Sequence, residues 1–159
     1  MSSDLPTKIQ LGLDELAEVR DQLAPLIART GEADLPVMET AAACAMLHSF
    51  YTEIEKVLKV IAVDFDKKLP PSDSWHRDLL AQMASSTETR PPVITGDLVA
   101  RLGELLAFRH LFRGASIALM RWNKLSPLVA KVDGVHREFV SEIDRFRLFL
   151  QAESSGRTE

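Results

Sequence analysis

The segment LGELLAFRHLFRGASIALMRW, residues 102–122, carries the side chains best suited to chemistry on an anion. At about 100° per helical residue, Arg109, Arg113 and Ser116 fall within about 60° of one another, and His110 flanks them. Two guanidiniums one turn apart repel each other. Holding them together serves the binding of an anion such as phosphate, because a guanidinium presents a planar fork of donors. The alternative is a solvated stripe whose arginines pair with carboxylates on neighbouring helices. A second set lies in LHSFYTEIEK, where His48, Tyr51 and Glu55 stand at i, i+3 and i+7 on one helical face. Such a line builds a ligand site between the helices of a bundle. Its alternative is a buried His and Tyr satisfied by hydrogen bonds. Arg109, Arg113, His48 and Tyr51 are thus the candidate ligand-binding residues. Glu53 reads as solvated. His76 follows Trp75 at a helix start, where capping and packing explain it, and His136 has no partner in sequence.

Other chemistries lack their signatures. The chain has no Gly-rich phosphate loop, no G-x-S-x-G and no HExxH. No zinc spacing of Cys and His occurs, and the four histidines are far apart in sequence, so neither a metal nor a cofactor is expected. Cys44, the one cysteine, sits in the apolar run AAACAML. That excludes a disulfide within the chain and a Cys-based metal site, and it suits a reducing compartment. MSSDLPTKIQLG lacks a basic segment followed by an apolar core. No apolar run approaches the ~18 residues of a spanning helix. A cytoplasmic protein with no membrane partner is expected.

The formal net charge of −4 conceals a segregation. Residues 101–150 hold nine Lys/Arg and five Asp/Glu, net +4, while the remainder holds ten and eighteen, net −8. A general nucleic-acid coat is excluded, but a local anion site on the C-terminal third is not.

The elements that must position these residues are helices. Ala, Leu, Glu and Arg dominate, all strong helix formers, and glycine is low. A length of 159 residues suits one domain, with a core over about 8–150 and a tail at 151–159. Apolar spacing predicts a first helix over 7–30, bent or closed by Pro25 and stopped at Gly31. Pro36 opens a second, with Asp34 near its start, running to about Asp66. Pro70 and Pro71 end it, and Ser72 or Asp73 caps a short third helix to Ala84. Thr95 or Asp97 starts a fourth that continues through Leu119, where NKLSP breaks it. Pro127 opens a fifth to about Gln151, and ESSGRTE reads as a frayed tail. An all-α, up-down helical bundle of about five helices follows.

The blocks LHSFYTEIEKVLKVIA, DSWHRDLLAQM, RPPVI and ELLAFRHLFRGAS, in this order and spacing, resemble the HepT-like ribonuclease toxins of the HEPN superfamily over residues 8–150. The resemblance implies a helical bundle that homodimerises, bringing two copies of the fourth helix to a shared cleft. It implies metal-independent RNA cleavage by a motif of Arg, four residues, His, one residue, Tyr. It also implies a partner, a minimal nucleotidyltransferase antitoxin of the MntA type, which attaches AMP to the Tyr and silences the toxin. Arg109 matches the motif Arg, but Gly114 stands at the His position and Ser116 at the Tyr position. Where sequences of this type read FRH-x-x-RHAY, this one reads FRHLFRGAS. The leading expectation is a HepT-like protein that binds RNA or nucleotide with impaired cleavage. One alternative is an active ribonuclease using Arg109 with His110 and Arg113. The other is a helical interaction protein without catalysis.

Overall fold

The computed structural model describes residues 4–114 and 119–157, without the side chains of residues 112–114. Among the described residues the chain is all helical. α1 spans Leu5–Ile27, α2 spans Val37–Ile61, α3 spans Trp75–Ala84, α4 spans Gly96–Gly114 and α5 spans Trp122–Gly156. A π-helical turn, Ala62–Asp66, extends α2.

The ion pairs report the topology. Lys8 meets Asp64, and Arg29 meets Glu39, so α1 and α2 run antiparallel. Arg101 pairs with Glu138 and Lys131 with Glu104, which sets α4 antiparallel to α5. Arg20 near the end of α1 bonds Asp133 in the first half of α5 at 2.7 Å. The expected up-down bundle is therefore present. α2 lies at its centre, touching α1, α3, α4 and α5. Small residues let it do so: Ala43 and Cys44 are fully buried, and Leu47, Phe50, Ile54, Val57, Leu58 and Ile61 continue the core. Gly12 of α1 approaches α2 so closely that a Cβ there would lie 2.7 Å from Val57 Cγ2.

Both boundaries of α5 differ from the sequence expectation. α5 begins at Trp122, not Pro127. The Trp122 ring is wholly buried and its indole N–H donates to the Glu32 carbonyl at 3.1 Å. That anchor outweighs Pro127, which lies on the exposed side of the helix, as does Asn123, whose carbonyl the proline cannot bond. α5 also runs on to Gly156 where the sequence suggests a frayed tail, because Gln151, Ala152 and Glu153 favour helix and nothing interrupts them. α4 ends at Gly114 within the described residues, and the expected continuation through Ser116 and Ile117 lies outside them.

Two polar contacts set the ends of the site-bearing helices. Thr95 precedes α4, and its hydroxyl accepts the Leu98 N–H at 3.3 Å, as an N-cap does. Its own N–H and hydroxyl donate to Glu142 of α5. Beyond α3, Arg90 is buried and donates to both carboxylate oxygens of Asp66 at 2.7 Å. It also donates to the carbonyls of Gln82, Ser85 and Pro91. The π-helical turn brings Asp66 to this position. The Arg-Pro-Pro block is thus a structural clasp.

Candidate functional site: an arginine held by a histidine–glutamate pair

Arg109 stands on α4 three and four residues after Leu106 and Leu105, both buried, so it emerges at the border of the apolar face. The opposing wall comes from α2 and α3. Ser72 and Ser74 donate to the Asp78 carboxylate in the first turns of α3, at 2.6 and 3.2 Å. A carboxylate there suits the positive end of the helix. This start presents Trp75 and His76 to α2 and α4.

Glu55, His76 and Arg109 meet. Glu55 Oε2 lies 2.5 Å from His76 Nδ1. Arg109 Nη1 lies 2.8 Å from Nδ1 and 3.2 Å from Nε2 of the same ring, and 3.5 Å from Glu55 Oε1. An ionised carboxylate only accepts, so the Glu55 contact calls for a proton on Nδ1, while Arg109 Nη1 packs at the side of the ring close to both nitrogens. The three side chains are 8%, 11% and 17% exposed, respectively. Buried charges of opposite sign compensate each other here, which is what allows either to be buried. Nη1 carries these Arg109 contacts, and the buried Nε has no hydrogen-bond partner among the described residues.

The imidazole is fixed on its other sides. Trp75 stacks on it with ring centroids 3.8 Å apart, and Lys59 Nζ lies 4.9 Å from the centre of the Trp75 ring. His110 presents its ring edge-on at 6.5 Å. Burial pushes the Tyr51 phenol well above its ordinary value of 10.0; Glu55 adds to the rise and Arg109 opposes it. Tyr51 therefore belongs to the same electrostatic site and stays protonated, which rules it out as a phenolate base.

The structure brings some predicted residues together and leaves others apart. Arg109 and Tyr51 sit in the site. His48 is half-buried about two turns before Glu55 on α2, and His110 is exposed at the rim. Gly114 is the last described residue of α4 and, as a glycine, contributes no side chain. The Arg113 side chain and Ser116 lie outside the described residues. Glu53, expected to be solvated, is only 14% exposed: Oε1 accepts from Lys56 at 3.1 Å while Oε2 is buried. Capping and packing explain His76 in the sequence, yet in the fold it is the hub of the site. Its signal lay in the Trp-His pair itself, which gave no hint of the carboxylate twenty-one residues upstream. Among the described residues, no His, Cys, Asp or Glu grouping is arranged to hold a metal ion.

The fourth helix of this all-α bundle thus turns an arginine toward polar side chains of the second and third. The model of the HepT-like protein family matches residues 42–150, and the chain belongs to that family. No curated protein and no solved structure matches it. The matched span covers every site residue named above and leaves out α1.

Proposed function

We propose that the protein is the HepT-like component of a toxin–antitoxin-type module, that Arg109 binds RNA or nucleotide phosphate, and that ribonuclease activity through the family's usual residues is impaired. One reading of the sequence carries this: Arg109 matches the motif Arg, while Gly114 and Ser116 stand at the positions of the motif His and Tyr, and all three lie inside the span that the family model matches. Metal-free RNA cleavage needs a group to move the 2′-hydroxyl proton, and imidazole performs this near neutral pH with ~10²–10⁴-fold effect. Glycine offers neither acid nor base. The guanidinium still stabilises phosphate charge. Binding then persists while turnover is slow.

The partners in this proposal are a second copy of the chain and a minimal nucleotidyltransferase of the MntA type. Restoring the motif with Gly114→His and Ser116→Tyr together should raise EDTA-resistant RNA cleavage by at least tenfold, and Arg109→Ala in that background should abolish it. Unchanged cleavage in the double variant would count against the proposal. AMP transfer from such a nucleotidyltransferase should fail on the wild-type chain, because a serine hydroxyl sits much closer to the backbone than a tyrosine hydroxyl. Mass spectrometry that found AMP on Ser116 would overturn that expectation.

A further inference from the structure

We infer that His76, aligned by Glu55, is the proton-transfer group of the Arg109 site and acts on the 2′-hydroxyl of bound RNA. The inference rests on the reading of that site as an RNA-phosphate site. It adds an imidazole from α3 where α4 supplies glycine.

The geometry has the parts of a working base. The Glu55 carboxylate, 2.5 Å from Nδ1, holds the ring in one tautomer and one orientation. Trp75, stacked at 3.8 Å, blocks rotation of the ring out of that plane. The remaining lone pair, on Nε2, points away from Nδ1 in the ring plane, and Arg109 Nη1 lies at the side of the ring 3.2 Å from Nε2. A phosphate seated on Arg109 therefore lies within reach of Nε2, and the ribose beside that phosphate carries the nucleophile. His110 offers a second imidazole, but it is exposed, and no carboxylate contact orients it among the described residues. Orientation decides between the two, because a misplacement of ~1 Å costs ~10²-fold in rate.

The step balances without a metal or a redox partner. The 2′-hydroxyl proton passes to His76 Nε2 as the 2′-oxygen bonds to phosphorus. The bond from phosphorus to the 5′-oxygen breaks, and the proton is returned to that oxygen. The products are a 2′,3′-cyclic phosphate and a 5′-hydroxyl. Arg109 offsets the charge on the phosphoryl oxygens throughout. Glu55 touches no substrate and is a positioning residue.

The test uses the full chain and a mixed-sequence single-stranded RNA oligonucleotide at saturating protein with EDTA. Cleavage is followed in a single turnover, and Kd is measured separately with 2′-O-methyl RNA, which has no nucleophile. Wild type should bind both RNAs and slowly cleave the unmodified one to cyclic-phosphate ends. His76→Asn, whose amide N–H can still reach Glu55, should cleave ~10²-fold more slowly or less, with Kd changed under threefold. Glu55→Gln should lower the single-turnover rate at least fivefold with a similar Kd, and it keeps the test decisive should His76→Asn fold poorly. Cleavage by either folded variant at the wild-type rate, or wild-type binding without cleavage, overturns the role of His76 and leaves RNA binding standing. Absence of RNA binding by wild type overturns both.

Discussion

Among the described residues, Arg90, Arg109 and His136 are held inside the bundle in three different ways, and the difference separates structural groups from chemical ones. Arg90 donates to a carboxylate and three carbonyls, so its fork is committed. Among the described residues, Arg109 leans on one imidazole and, more distantly, one carboxylate, through one nitrogen. A saturated guanidinium holds the fold, whereas an unsaturated one can accept an anion. His136 is a third kind. Burial, and then the Arg20 charge, hold its imidazole below the ordinary value of 6.5. The unfolded chain takes up a proton near pH 6.5 that the folded chain resists. The stability present above that pH is therefore lost as pH falls through the folded value. Urea unfolding between pH 7.5 and 5 should show this decline, and His136→Leu should flatten it. An unchanged slope in that variant would assign the decline to another group. His76 and His136 were equally isolated in the sequence, and only the folded chain shows that one meets a carboxylate and the other the edge of Phe50.

At the scale of the helices, glycine positions make the packing measurable. Adding a methyl at Gly12 forces it against Val57, a stiff side chain that is 1% exposed. Overpacking of this kind costs about 1–3 kcal/mol, against a helix-propensity gain of about 1 kcal/mol. Gly12→Ala should therefore leave stability unchanged or lower it by up to about 2 kcal/mol. A methyl added at Gly103, on α4, would meet nothing within 4 Å, so Gly103→Ala should raise stability by about 1 kcal/mol. Paired urea titrations test the contrast, and a loss for Gly103→Ala would contradict the open surroundings. Helix existence was legible from apolar spacing, and Leu98, Leu102, Leu105 and Leu106 are all buried as their periodicity requires. Boundaries were less so. Pro127 resembled a start because proline favours first turns, and the pull of a buried Trp122 is a tertiary effect that no local pattern contains.

Over the whole molecule, the core stops where the packing stops. Leu150 is the last buried residue of α5, and residues 151–156 are exposed although helical. Removing residues 151–159 should change the unfolding free energy by no more than about 0.5 kcal/mol, as for surface changes generally. A larger loss in urea would reveal a contact made by that extension. The all-α class and the position of Arg109 followed from sequence because both depend on local spacing. The Glu55–His76 pair did not, because it requires the chain to return after the Pro70–Pro71 break.

That return gives α3 an unusual standing. At ten residues it is too short to hold helical shape alone, and it is fastened at its first turn by His76 and at its far end by Gln82 and the Arg90 clasp. Its packing partners are α2 and α4. A helix that depends on its neighbours in this way should open before the longer helices as temperature rises. The imidazole is thus carried by the shortest α-helix of the described residues and the guanidinium by a longer one. On warming, the two part company while most helical signal persists, so the temperature at which the site fails lies below the temperature at which the bundle melts.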